Sequence, residues 1–230
     1  SSAAKRQSFS QRTQALRAEA ADSLAALVAQ LKRPRRLLLM VPAGTAVDAV
    51  LDDLLPLLEP GDVVMDGGNS HHLDTARRLH RMKAHGLLYI GTGVSGGEQG
   101  ALLGPALMPG GDEQAWPLVR EPLQAIAARG PEGLPCCQWM GPQGAGHFVK
   151  MVHNGIEYAD MQAICEAYWL MHQGLGMSAQ EIGKTFAQWN EGELGSYLLG
   201  ISADILARQD PDSGQALVDL IVDTAEQKGT

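Results

Sequence analysis

Lys150, His153, Asn154 and Glu157 interrupt the apolar stretch VKMVHNGIEY, residues 149–158. Their spacing of i, i+3, i+4 and i+7 is that of one helix face. A lysine inside an apolar helix is costly unless something compensates it. Lys150 and Glu157 are two turns apart, too far for an ideal i,i+4 pair, so the two can face a ligand between them. Shielding from water favours the neutral amine, which suits a general base. It also favours the protonated carboxyl, which suits an acid. His153 and Asn154 add donors and acceptors for hydroxyl groups. The competing reading is a buried polar network that only locks the helix.

Two glycine-bearing motifs stand upstream. DGGNS, Asp66 to Ser70, closes a short apolar run. In a parallel α/β sheet the carboxyl ends of the strands carry ligands. Gly67 and Gly68 permit a tight turn there, and Asn69 presents an amide. Equally, Asn69 or Ser70 could cap the next helix. GTGVSG, Gly91 to Gly96, matches G-x-G-x-x-G, but two predicted strands precede it. Asp112 and Glu113 begin a helix rather than end a strand. The match therefore reads as fortuitous, although its glycines allow close backbone approach and Ser95 offers a hydroxyl. Cys136, Cys137 and Cys165 lack metal spacing and read as buried reduced thiols. The seven histidines, His71–His72 among them, show no second ligand at metal spacing, and no metal is expected.

The elements that must position these residues follow from periodicity. An Ala- and Leu-rich stretch predicts a helix over 14–31. RRLLLMVPAG (35–44) reads as a buried strand ending at Pro42 and Gly44, and helical spacing resumes over 45–58. GDVVMDGGNS (61–70) is a second strand, a helix spans about 70–85, and GLLYIGTGV (86–94) is a third strand. This alternation predicts a parallel sheet with helices on its faces. A further helix begins near Pro117, and PCCQWMG (135–141) suggests an edge strand. From Gly146 the pattern changes: Val149, Val152, Ile156, Met161, Ile164, Cys165 and Tyr168 predict one helix over 146–172, roughly 40 Å long at 1.5 Å per residue. Helices over 178–190, 195–207 and 214–226 follow. The expected organisation is an α/β part over 1–145 and an all-α part over 146–230.

The chain has 230 residues and is 45% hydrophobic, ample for a core. Its net charge of −8 argues against a nucleic-acid surface, which needs a basic face. No apolar run is long enough to span a bilayer. The opening, SSAAKRQSFSQRTQALR, has the composition of a transit peptide but reads as a solvated or truncated end.

Four blocks stand in order: VMDGGNS, GVSGGEQGALLGPALMPGG, GAGHFVKMVHNGIEYADMQAICEAY and QKGT. Through them, from about Arg35 to Thr230, the chain resembles the 6-phosphogluconate dehydrogenase family. Related β-hydroxyacid dehydrogenases share a lysine but not the full KMVHNGIEY string. The resemblance implies a Rossmann-like α/β domain followed by an all-helical one, in a cytoplasmic homodimer that uses NADP. It implies oxidation of the 3-hydroxyl of 6-phosphogluconate, decarboxylation, and tautomerisation to ribulose 5-phosphate, a reaction of the pentose phosphate pathway and of gluconate utilization. On the matching positions, Lys150 is implied as general base and later acid, and Glu157 as the acid that protonates C1. Asn69, Ser95, Gly96, Gly97, His153 and Asn154 match substrate contacts, and Tyr158 and Lys228 match ligands of the substrate phosphate. Asn69 also borders the nicotinamide. Gln11, Arg12 and Thr13 stand for the family's N-R-T, whose arginine meets the NADP 2′-phosphate. Val41, Pro42 and Ala43 stand for its V-K-A.

There are departures. The family's opening strand and G-x-G-x-x-G loop have no counterpart, so the first βαβ unit is largely missing. Gln11 replaces an asparagine, Pro42 a lysine, and Glu226 a small residue. The resemblance thus implies a fragment or truncated member that binds NADP weakly. The alternative is a catalytically impaired relative acting as a binding or interaction module.

Overall fold

A computed structural model describes residues 3–13, 15–16, 18–222 and 224. The chain divides into two compact units, the first reaching Val152 and the second beginning at His153.

The first unit opens with helices α1 (Ala3–Arg12) and α2 (Leu24–Gln30). Ser23 caps α2 by accepting from the Ala26 N–H, and this cap sets where the helix starts. The single helix expected over 14–31 therefore contracts to one of seven residues. Alanine content alone supplies propensity, and α2 buries only Val28. There follow β1 (Arg36–Leu39), α3 (Thr45–Leu54), β2 (Val63–Asp66), α4 (His72–Ala84) and β3 (Leu88–Ser95). The unit continues with α5 (Gly97–Leu103), β4 (Ala106–Gly111) and α6 (Trp116–Ile126). The sheet order is β1-β2-β3-β4. The first three strands are parallel, as their apolar runs predict. β4 turns back antiparallel to β3, with Thr92 opposite Pro109.

Strand alternation sends the two sets of side chains to opposite faces. Leu37, Leu39, Val64 and Tyr89 pack with Val47, Leu51, Leu54, Leu79 and Met82 of α3 and α4. Val63, Met65, Ile90 and Leu107 pack with Val119 and Leu123 of α6. Each fully buried aliphatic side chain contributes about 1.5–3 kcal/mol. PCCQWMG is not a strand: it makes only isolated bridges such as Leu107 with Cys137. Cys137 is buried, and burial pushes its thiol up to about 11. Cys136 and Cys165 are exposed free thiols, against the expectation of burial.

Helix α7 (Ala145–Trp169) begins in the first unit, where Gly146, His147 and Lys150 are buried. In the second unit Ile164, Ala167 and Tyr168 pack against a cluster built from α8 (Ala179–Asn190) and α9 (Tyr197–Ala207). A π-helical turn, Leu170–Gly174, ends α7. Ser178 and Glu181 form a reciprocal capping box at the start of α8, and Ser196 caps α9. Gly183 lets these two helices approach: a Cβ there would stand 3.1 Å from Leu206 Cβ. Of the helix expected over 214–226, the described residues hold only a 3-10 turn, Leu217–Leu220. Residues 223 and 225–230, with Glu226, Lys228 and the QKGT block, lie outside the described residues.

Candidate active site

The carboxyl end of β2 is built around Asp66, which is fully buried. One oxygen accepts from the Gly68 N–H (3.0 Å). The other accepts from the Ser70 hydroxyl (2.7 Å) and from Tyr89 Oη (3.3 Å). These bonds fold DGGNS into a turn. Gly67 N–H donates to the Leu39 carbonyl at 2.9 Å. A Cβ on Gly68 would stand 2.8 Å from the Val41 carbonyl oxygen. The glycines therefore allow the Val41–Pro42–Ala43 segment to lie beside the turn that carries Asn69. Neither Asn69 nor Ser70 caps α4. His71 does, its ring accepting from the Leu73 N–H, and Ser70 is committed to Asp66.

Behind the turn, the fully buried Arg78 spans three groups. Its guanidinium donates to both oxygens of Asp48 (3.0 and 2.9 Å), to the Gly44 carbonyl (2.9 Å) and to Ser70 Oγ (3.3 Å). It lies 3.6 Å from Asp66. The Arg78 hydrogen bond holds Asp48 far below the usual carboxylate range, with Arg77 adding to it and partial burial opposing. Burial, with the Asp66 charge beside it, pushes the Tyr89 phenol well above its ordinary value. This phenol is a fixed donor, not a proton carrier. Gly44 opens α3 at φ 88° with no side-chain cap and open space where a Cβ would stand.

The start of α7 lies close on β3. A Cβ on Gly146 would stand within 2.2 Å of the Gly91 carbonyl oxygen. A Cβ on Gly91 would meet His147 Nδ1 at 2.7 Å, and one on Gly93 would meet Lys150 Cβ at 2.5 Å. Two glycines of GTGVSG are thus seats for α7 side chains. The motif does not lie in a βαβ unit either, since the short α5 leads to an antiparallel strand. Lys150 is buried with 9% exposure, its stem on Gly93. Two residues further along β3 stands the half-buried Ser95, followed by Gly96 and Gly97 at φ 135° and 58°.

His153, Asn154, Glu157 and Tyr158 lie on α7 in the second unit. His153 Nδ1 is 3.3 Å from Asn154 Oδ1 and 3.7 Å from Glu157 Oε2. His153 and Glu157 are about 40% exposed, and Tyr158 is exposed. Gln11 and Arg12 end α1 on its exposed surface, and the Thr13 hydroxyl donates to the Phe9 carbonyl. Among the described residues no cluster of His, Cys, Asp or Glu could hold a metal ion, and no helix is long and apolar enough to cross a membrane. Sequence reasoning missed Asp48, Thr75, Arg78 and His147. The available signal for His147 was its place three residues before Lys150, on the same helical face.

Comparison with known proteins agrees with this architecture. The family description "NAD binding domain of 6-phosphogluconate dehydrogenase" matches residues 1–141, and "6-phosphogluconate dehydrogenase, C-terminal domain" matches residues 146–230. The decarboxylating 6-phosphogluconate dehydrogenase of Treponema pallidum is 60% identical over 210 residues, covering 91% of this chain and 43% of that protein. The human protein of that name is 55% identical over the same share of each. A solved Plasmodium falciparum 6-phosphogluconate dehydrogenase, described apo, with NADP+ and with 6-phosphogluconate, superposes with a TM-score of 0.94 at 39% identity. That match covers 99% of this chain and 49% of that one. The chain spans under half the length of these curated relatives. With both of its parts matched in order and more than half its residues shared with such relatives, the chain belongs to the 6-phosphogluconate dehydrogenase family.

Proposed function

We propose that this chain carries the reacting lysine of an oxidative decarboxylation that converts 6-phosphogluconate to ribulose 5-phosphate and carbon dioxide with reduction of NADP. One observation carries the reading: Lys150 is buried at the carboxyl end of the sheet, seated on a strand position that has no side chain. Burial disfavours the ammonium, so a lysine held away from water stands more often as the neutral amine that can take a proton.

The cofactor supplies a hydride acceptor when bound. The residues present fit it. The 41–43 segment and the Asn69 turn lie side by side at the carboxyl ends of adjacent parallel strands, and α3 opens on an uncapped glycine with empty space beside it. Helix N-termini and strand ends of this kind suit a dinucleotide. Asn69 orients the ligand there. Gln11, Arg12 and Thr13 are assigned to the cofactor by resemblance alone.

Lys150 takes the proton of the 3-hydroxyl as the carbon–hydrogen bond breaks. The resulting β-keto acid loses carbon dioxide, and Lys150, now an ammonium, returns its proton to the carbonyl oxygen to give an enediol. Glu157 then protonates C1 while Lys150, neutral again, takes the proton of the enediol hydroxyl, which leaves the ketone of ribulose 5-phosphate. Ser95, Gly96, Gly97, His153 and Asn154 bind substrate hydroxyls and carboxylate, and Tyr158 and Lys228 hold the phosphate. The full enzyme acts as a homodimer in the cytoplasm. NADPH formation from 6-phosphogluconate tests the reading. Turnover that needs both compounds and is lost in Lys150→Met is the expected result. Turnover that persists in Lys150→Met contradicts it.

A further inference from the structure

For Lys150 to exchange a proton with one particular hydroxyl, its position above β3 must be fixed to a fraction of an ångström. His147 lies one turn before it on the same face of α7. It has only 2% exposure, whereas His153 on the following turns is half-exposed. Its ring sits over Gly91 as the Lys150 stem sits over Gly93. Its Nδ1 is 2.6 Å from the Thr75 hydroxyl of α4. That hydroxyl also lies 3.3 Å from the His71 carbonyl, at the end of the DGGNS turn. Nε2 is buried and has no partner in good hydrogen-bond geometry among the described residues.

Burial holds this imidazole below its ordinary pKa. The Asp66 carboxylate and the backbone of Gly68 and Asp66 favour its proton, and Arg78 disfavours it. One ring therefore touches α4, the strand-end turn and β3 while belonging to the helix of Lys150. A phenyl group would fill the same volume. The imidazole adds direction at two nitrogens, at the cost of taking a polar atom out of water.

We propose that His147 is a positioning residue for Lys150 and Asn69: a neutral imidazole that accepts from the Thr75 hydroxyl at Nδ1 and turns its Nε2–H toward the Asp66–Gly68 backbone. It sets the height of α7 above β3 and the place of the Asn69 turn together. This inference rests on the reading of Lys150 as the proton-transferring group.

The unmodified chain and the variants His147→Gln, His147→Phe and Thr75→Val are labelled at lysine Cε and at the histidine ring nitrogens. They are followed by NMR over about pH 5–9 and titrated with 6-phosphogluconate by calorimetry. One histidine, absent from both His147 variants, should stay neutral with Nε2 protonated. His147→Phe should displace the Lys150 Cε resonance and weaken binding about tenfold, the equivalent of one hydrogen bond. His147→Gln retains a side-chain N–H for the Asp66–Gly68 backbone and should recover binding to within about threefold. The proposal is overturned if the Lys150 resonance and binding are unchanged in both His147→Phe and Thr75→Val, or if the His147 signal titrates at its ordinary value. Should His147→Phe fail to fold, Thr75→Val decides. A shifted Nδ1 signal with a displaced Lys150 resonance supports the proposal, and an unmoved Lys150 overturns it. If the unmodified chain takes up no 6-phosphogluconate, the functional reading falls, while the Lys150 resonance still judges His147.

Discussion

The two ends of β2 solve the same problem with the same residue types and reach different results. At the amino end, Asp62 accepts from the backbone N–H groups of Arg35 (2.7 Å) and Glu59 (3.0 Å) and from the Arg35 guanidinium (2.9 Å). Glu59 adds a second, half-exposed carboxylate to Arg35. Burial pushes Asp62 upward, but these donors outweigh it and its carboxyl is lowered. Every donor is consumed in closing a corner beside solvent. At the carboxyl end, Asp66 accepts from a glycine N–H, a serine hydroxyl and a phenol, with a fully buried arginine behind it. It holds a turn whose next residue, Asn69, is half-buried. One carboxylate ties chain to chain, and the other ties down the turn that carries Asn69. Ion-pair counts do not separate these two ends. What separates them is whether the bonds terminate on the scaffold or fix a turn at the carboxyl edge of the sheet, the edge that parallel α/β sheets generally offer to ligands.

The largest effect should come from breaking the carboxyl end. Asp66→Ala strands the Ser70 and Tyr89 hydroxyls and the Gly68 N–H, and takes one of the two neighbouring carboxylates from Arg78. A loss of about 3–5 kcal/mol in urea unfolding is expected. Asp62→Ala should cost less, because Arg35 keeps Glu59 and water. An equal loss would erase the distinction drawn between the two ends.

Next in size is Gly93→Ala, whose methyl would stand 2.5 Å from Lys150 Cβ and 2.9 Å from the Gly146 carbonyl oxygen. It should cost about 1–3 kcal/mol by overpacking and weaken 6-phosphogluconate binding as α7 lifts. At Gly97, where φ is 58° and an added Cβ would point into open space, alanine should cost only about 1–2 kcal/mol of backbone strain. Binding that is unchanged in Gly93→Ala would separate α7 from the ligand.

Acid should act on both ends. The folded carboxyls of Asp48 and Asp62 lie below the ordinary aspartate value. Their stabilising contribution is therefore complete above about pH 4 and is lost as pH falls through the folded values, where the unfolded chain binds more protons. Stability measured over about pH 2–5 should fall less steeply in Asp48→Asn and Asp62→Asn than in the unmodified chain. Equal slopes would refute the assignment. The smallest effect belongs to Glu59→Gln, which removes half-exposed pairs with Arg33 and Arg35. Its cost should stay below about 1 kcal/mol by the same unfolding measurement.

Much of this was legible beforehand, for physical reasons. Three short apolar runs, each stopped by glycine or proline, announced β1 to β3, and helical spacing announced α7 to α9. β4 was not legible because ALMPGG ends in a proline and two glycines, residues depleted in strands. Proline and glycine are tolerated there because β4 is an edge strand. The stretch before Ser23 was overread because alanine propensity was given more weight than burial. Lys150 and the Asn69 turn stood out as polar groups in apolar settings. His147 did not, since its role depends on Thr75, 72 residues away, which no local spacing reveals. Gly91 and Gly93 resembled a phosphate loop, and their use became clear only from the side chains seated on them.

The most direct test compares Lys150→Met with the unmodified protein, measuring NADPH formation at saturating 6-phosphogluconate alongside binding of that compound. The account predicts a rate lowered by about 10²–10⁴-fold, the size of a lost general base, with binding changed far less. Equal loss of rate and binding would make Lys150 a ligand contact and contradict its role in proton transfer.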